Sequence, residues 1–302
     1  MIFSAPESLF YEFDCGAKMA TIVTSKDRKV ELGEGLPTAI IGQRINPAGK
    51  ERLAHDFSKG KLDVLVEEAL SQKEAGADIL DVNVAASGVD EAIILPKAVR
   101  KVLEITGLPV CIDSSNAEAL RKALEVYPYK ALVNSVTGQK KSLRSILPLV
   151  REFEVCVVGL SMDDSGIPKT ADRRFDVAKS IVEAAESYGI PREDILVDCL
   201  CLAQATEENS AAVTLETLRR VSRELGVATV LGISNISFGM PDRKVINLSF
   251  LSQAISQGLN AAIVDPTVEG VIETILASDF LAGRDYYGRR YLKYYRDKVK
   301  KG

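Results

Sequence analysis

The chain has 302 residues, 46% hydrophobic and 26% charged, which is enough apolar material for one large core. A formal charge of −4 excludes a general nucleic-acid binder, because phosphate contact needs clustered lysine and arginine. No apolar run reaches the roughly 18 residues of a membrane helix, and no basic start leads into a long apolar stretch, so no signal peptide is evident and a cytoplasmic protein is expected.

The first predicted element is a hairpin. Residues 20–24 and 29–32 flank the polar turn Ser25-Lys26-Asp27-Arg28. Residues 1–37 are therefore read as an N-terminal extension whose hairpin covers the bottom of the unit that follows. From Thr38 onward, short β-branched or apolar runs alternate with longer amphipathic stretches, eight times. The runs are 38–42, 79–84, 110–112, 131–133, 155–160, 195–197, 228–233 and 261–264. Between the first two, Leu62, Leu65, Val66, Ala69 and Leu70 share one helical face, and Gly76 stops that helix. Asn116 is positioned to cap a helix over 117–126. Helices over 170–188 and 213–225 are closed by Gly189 and Gly226.

Eight alternations predict a parallel sheet closed into a (β/α)8 TIM barrel, an α/β fold, with an open doubly wound sheet as the alternative. Residues 38–302 are read as this single barrel domain with a C-terminal helical tail. Five tyrosines among basic residues, Tyr286 to Tyr295, predict an amphipathic final helix packed on the body or on the second copy of a homodimer. The five cysteines, Cys15, Cys111, Cys156, Cys199 and Cys201, are odd in number, and Cys111 and Cys156 fall inside apolar runs; reduced thiols are expected. Cys199-Leu200-Cys201 lacks the further ligands that zinc requires, so no metal site is predicted.

The chemistry of such a barrel sits at the carboxyl ends of its strands. Those ends carry Gln43, Arg44 and Asn46; Asp81 and Asn83; Asp113 to Asn116; Asn134 and Ser135; Ser161 to Asp163; Asp198; Ser234 and Asn235; and Asp265. Any one of these is most simply a helix cap, but eight strand ends bearing amides or carboxylates in one ring imply a polar pocket. His55 is the only histidine and falls in a polar stretch, which argues against a Ser–His–Asp triad or a histidine metal site. No lysine stands at a strand end for a Schiff base, and no glycine-rich phosphate loop opens a late helix. A ring of carboxylates and amides suits a flat heterocycle with amide and amidine edges.

Several motifs resemble the pterin-binding methyltransferase family. They are Gly42-Gln43-Arg44-Ile45-Asn46-Pro47, Asp81-Val82-Asn83-Val84, Cys111-Ile112-Asp113-Ser114-Ser115-Asn116 and Val133-Asn134-Ser135. Gly159-Leu160-Ser161-Met162 with Gly166-Ile167-Pro168, and Gly232-Ile233-Ser234-Asn235-Ile236-Ser237 followed by Arg243, continue the match. The family includes the methyltetrahydrofolate:corrinoid/iron–sulfur protein methyltransferase, the folate module of cobalamin-dependent methionine synthase, and catabolic enzymes that methylate tetrahydrofolate.

The resemblance implies a methyltransferase acting between N5 of tetrahydrofolate or 5-methyltetrahydrofolate and a corrinoid (cobalamin) carried by a transient partner protein, docked on the C-terminal face of the barrel. It implies that Asp113, Asn134 and Asp198 hold the pterin ring and that Asn235, the candidate catalytic residue, hydrogen-bonds near N5. Asp81, Asn83, Gln43, Met162 and Ser234 complete the candidate pocket, and Arg243 matches an arginine beside it. The family pattern usually has glutamate where this chain has Gln43, which puts the direction and pH dependence of transfer in question. A folate-binding scaffold subunit of a larger complex is the second reading. Dihydropteroate synthase is a third, set aside because its Gly-Gly-Glu-Ser-Thr-Arg-Pro-like loop is replaced here by Asn83-Val84-Ala85-Ala86-Ser87-Gly88.

Overall fold

A computed structural model describes residues 20–300; Cys15 and the first part of the N-terminal extension lie outside the described residues. The expected hairpin forms from β1 (Thr21–Thr24) and β2 (Lys29–Leu32), paired antiparallel. Eight parallel strands then close a barrel: β3 (Ala39–Ile45), β4 (Ile79–Asn83), β5 (Val110–Asp113), β6 (Leu132–Thr137), β7 (Cys156–Leu160), β8 (Ile195–Asp198), β9 (Ala228–Gly232) and β10 (Ala261–Val264), with β10 returning to β3. The doubly wound alternative is excluded by that closure.

The helices are α1 (Glu51–Ser58), α2 (Asp63–Ala75), α3 (Glu91–Thr106), α4 (Ala117–Glu125), α5 (Lys140–Glu152), α6 (Ala171–Ser187), α7 (Ser210–Arg220), α8 (Arg243–Ser256), α9 (Val271–Leu281) and α10 (Arg289–Val299). Their ends follow local chemistry. Asn116 Oδ1 accepts from the backbone N–H groups of Glu118 and Ala119, which caps α4 as its position predicted. Gly76 takes the left-handed conformation, φ 104°, that terminates α2. The stretch expected as a helix over 213–225 starts earlier, at Ser210, and its last turn, Val221–Leu225, widens to a π turn before Gly226. No described helix is long and apolar enough to cross a membrane.

Strand periodicity separates two cores. Outward residues such as Leu80, Val82, Ile112, Val133, Val157, Val197 and Leu231 join the helices in the larger shell. Inward residues, among them Ile41, Ile79, Cys111, Leu132, Cys156, Val158, Leu196, Val230 and Ile263, fill the barrel interior. The same interior cluster takes Val23 and Leu32 from the hairpin, both fully buried. The hairpin is bolted to the loops that precede β5, β6 and β10. Ser25 Oγ donates to the Gly107 carbonyl (2.6 Å), the Tyr127 hydroxyl to the Thr24 carbonyl (2.8 Å), and Asn260 Nδ2 to the Gly33 carbonyl (2.7 Å). It thus plugs the end of the barrel opposite the strand carboxyl ends.

The C-terminal tail is anchored by Asp279, a fully buried carboxylate that accepts from Thr38 N (2.9 Å), Thr38 Oγ1 (2.7 Å) and Arg290 Nη1 (2.9 Å). Beyond that anchor α10 buries no residue and touches α9 mainly through Tyr294 and Lys298, both bonded to Glu273.

Candidate active site at the barrel mouth

Period-two alternation carries the inward series of each strand from an apolar floor to a polar rim. On β4 it runs Ile79, Asp81, Asn83; on β5, Cys111, Asp113; on β6, Leu132, Asn134; on β8, Leu196, Asp198. Register then decides who meets whom. Asn83, Asp113 and Asn134 are direct neighbours across β4, β5 and β6, so all three face the mouth side by side. Asp81 sits one inward step deeper, level with Cys111.

The result is an interlocked carboxyl–amide block. Asn83 Nδ2 donates to Asp113 Oδ2 (3.0 Å), and Asn134 Nδ2 donates to Asp81 Oδ1 (3.2 Å). Asn83 Oδ1 also accepts from Ala85 N (2.8 Å), which orients its amide. Burial first, and the Asp113 charge second, push the Asp81 carboxyl well above the usual carboxylate range, against the hydrogen bonds from Cys111 and Asn134. Burial also raises Asp113, opposed by the Asn83 hydrogen bond, and the nearby Glu91 adds to the rise. Two carboxyls this close in a dry barrel do not both ionise readily at neutral pH. The deeper Asp81 is fully buried, and its carboxyl is pushed up to about 8.

Asp198 closes the opposite side of the mouth. Its Oδ1 accepts from Leu200 N (2.7 Å), and the Gly232 N–H also favours its charged form. Burial pushes its carboxyl up to about 6, although those two N–H groups and the Arg174 charge pull the other way. On β9 the inward position is Gly232, where an added Cβ would find only the Asn235 amide at 3.8 Å; the mouth is therefore left open beside Asp198.

The remaining predicted residues lie at other points around the rim. Gln43 and Ser234 line one concavity with Asp265, Lys244, Asn247 and Leu248, between the ends of β3, β9 and β10 and helix α8. Asn235 is exposed at the rim in the short helical turn Ile233–Ser237. Met162 is half-buried, and its carbonyl accepts from Gly138 N (2.8 Å). Arg243 is held by Ser237 Oγ (2.9 Å) and the Ser234 carbonyl (2.7 Å), over the Phe238 ring.

Several rim positions are caps and turns. Asn46 accepts from Ala48 N, Asp163 from Ser165 N, and Asn116 caps α4. His55 lies exposed on α1. Cys199 and Cys201 are buried thiols, and among the described residues no group of three His, Cys, Asp or Glu side chains is arranged to hold a metal.

Arg44 was not singled out for a role from sequence. A bulge between Gly42 and Ile45 turns its N–H away from β4 and onto Gln72 Oε1 (2.9 Å). Gly42 leaves room for that amide, since an added Cβ would press against the same oxygen. The Arg44 guanidinium then pairs with Glu68 on α2 and with Asp265 (2.6 Å), stitching the first and last barrel strands at the rim. The only signal in sequence was a cation standing between Gln43 and Asn46.

Comparison with known proteins agrees with this geometry. The family model described as "Pterin binding enzyme" matches residues 42–265. A methylcorrinoid:tetrahydrofolate methyltransferase of Eubacterium limosum is 30% identical over 263 residues, covering 85% of this chain and 96% of that protein. The methionine synthase of Mycobacterium leprae is 30% identical over 243 residues, 74% of this chain but 20% of the synthase. Among solved structures, a dihydropteroate synthase of Yersinia pestis superposes with a TM-score of 0.62 at 14% identity, covering 88% of this chain and 99% of the synthase. The 7,8-dihydropteroate synthase of Vibrio fischeri gives 0.64 at 17%, covering 87% and 98%; at such identities the likeness is one of fold. With its mouth built as described and the family model spanning β3 to the end of β10, the chain belongs to the pterin-binding enzyme family.

Proposed function

We propose that the chain is a methyltransferase that binds the pterin head group of tetrahydrofolate in the barrel mouth and moves a methyl group between its N5 and a corrinoid carried by a partner protein. The observation that carries this reading is the pairing of carboxyls and amides around an apolar-floored mouth, with Asp113 and Asn134 on one side and Asp198 on the other. Asn83 takes Asp113 Oδ2 and Asn134 gives its N–H to Asp81, so Asp113 Oδ1 and Asn134 Oδ1 are the acceptors offered to a ring N–H and an exocyclic amino group. Asp198 supplies a further carboxylate across the ring. These acceptors fit the N–H and amino groups of a pterin edge.

In the direction of tetrahydrofolate methylation, the N5 lone pair forms the new carbon–nitrogen bond while the cobalt–carbon bond breaks with its pair left on cobalt. The N5 proton then departs. The protein's contribution is to hold N5 in line and to tolerate charge there. Asn235, exposed at the rim, has an amide that donates or accepts as the protonation of N5 requires. The open strand-end face is where the corrinoid protein docks, and Gln43 in place of a carboxylate removes one negative charge from that face. The likeness to a methylcorrinoid:tetrahydrofolate methyltransferase supports the same direction.

Steady-state assays with the isolated chain decide between directions and between enzyme and scaffold. Turnover of methylcobalamin with tetrahydrofolate is expected, faster than turnover of methyltetrahydrofolate with cob(I)alamin. Absence of the first reaction would refute the proposed direction. Folate binding without turnover in either direction would make the chain a binding subunit.

A further inference from the structure

We propose that Arg174 is a positioning residue for the Asp198 carboxylate, acting through the backbone turn that follows β8. This rests on Asp198 being a pterin ligand. Arg174 rises from the first turn of α6 and is fully buried. Its hydrogen bonds go to carbonyl and hydroxyl oxygens: Pro168 O from Nε (3.2 Å) and Nη2 (2.8 Å), and Cys199 O (3.2 Å), Leu200 O (2.8 Å) and Thr214 Oγ1 (3.2 Å) from Nη1. A cation buried among dipoles is poor stabilising material, since an apolar side chain of similar volume fills such a site as well or better. What only a planar fork provides is a rigid bridge between two loops.

Those two loops are the ones that matter at this side of the mouth. Pro168 ends the segment after β7 that carries Met162, and Cys199 and Leu200 directly follow Asp198. Leu200 has φ +54°, a left-handed conformation that leucine rarely adopts unless it is held there. Its carbonyl is held by Arg174 and by Thr214 Oγ1 (2.9 Å), and its N–H is thereby aimed at Asp198 Oδ1 (2.7 Å). Ser161 fixes the Asp198 carbonyl through its N–H (3.0 Å) and its hydroxyl (2.8 Å). The orientation of the carboxylate is thus set by a chain of contacts that begins at the guanidinium. The same guanidinium is the cation whose field favours the ionised carboxylate. The other groups around Asp198 are the N–H groups of Leu200 and Gly232 and the thiols of Cys199 and Cys201, which burial keeps neutral.

The test uses the full chain, with Arg174→Lys, Arg174→Met and Thr214→Val. Two readouts are followed: tetrahydrofolate affinity against pH, and the Asp198 titration midpoint by carboxyl 13C NMR. Arg174→Lys keeps the charge but cannot span both loops, so affinity falls about tenfold while the midpoint stays in place. Arg174→Met removes both, and the midpoint also rises by about one pH unit. Thr214→Val, which leaves Arg174 intact but frees one side of the Leu200 carbonyl, weakens affinity about threefold. It decides the matter if the Arg174 variants do not fold. Wild-type affinity in folded Arg174→Lys or in Thr214→Val, or an unmoved midpoint in Arg174→Met, would overturn the proposal. If the wild type itself binds no folate, the pterin reading fails, while the midpoint still tests the brace.

Discussion

Asp198→Asn should make the protein more stable near neutral pH while it weakens folate binding. In the folded barrel the Asp198 carboxyl titrates at about 6, against 3.8 for a free side chain, because burial disfavours the charge. Between those values the native state holds a proton that the unfolded chain has released. Stability therefore falls as pH rises through that window, and above pH 6 the ionised carboxylate costs the fold about 3 kcal/mol. Asparagine is isosteric and neutral. It retains an acceptor for Leu200 N but gives up one carboxylate oxygen and the favourable pull of the Gly232 N–H, a loss of about 1 kcal/mol. The net expectation is a gain of about 2 kcal/mol at pH 7.5, which for a chain this long is a rise of about 4 °C in Tm. At pH 4 the wild type is itself neutral at this position, and the advantage disappears. Scanning calorimetry of both proteins across pH 4–8, with tetrahydrofolate titrations alongside, measures the two effects together. A variant less stable than wild type at pH 7.5, or a stability difference that does not change with pH, would refute the electrostatic account of Asp198.

Asp113→Asn removes the charge that Asn83 now stabilises, and should weaken tetrahydrofolate binding by about 1–2 kcal/mol by titration calorimetry; unchanged affinity would take Asp113 out of the site. The same Asp113→Asn substitution removes the charge that helps raise the buried Asp81 carboxyl, so the Asp81 titration midpoint should fall, as read by 13C NMR. If it stays where it is, the two groups are not coupled. Leu32→Ala empties part of the barrel floor and should cost about 2–5 kcal/mol in urea unfolding, since Leu32 is fully buried in the interior cluster. A loss under about 1 kcal/mol would mean that the hairpin is not a structural plug.

The eight strands, the hairpin, the capping by Asn116 and the helix stop at Gly76 were all legible in the sequence. Each depends on side-chain period or on the chemistry of a few consecutive residues, which a linear reading captures. The candidate ring was legible too, as a list of polar residues at strand ends, and so were the motifs that carry the family. Its internal organisation was not. Asn83 meets Asp113 across 30 residues and Asn134 meets Asp81 across 53, and those pairings follow from strand register, which only closure of the barrel sets. Nor could sequence separate the polar groups that pair across strands from Asp163 and Asn46, whose side chains close local turns. Asp198 titrates high because the barrel surrounds it, and the guanidinium that steadies it comes from a helix 24 positions earlier in the chain, where nothing in the local pattern distinguishes it from a surface arginine. Local sequence determined which elements form and which residues reach the mouth; tertiary structure decided their partners and their charge, because both depend on distances and burial that exist only once the chain has closed on itself.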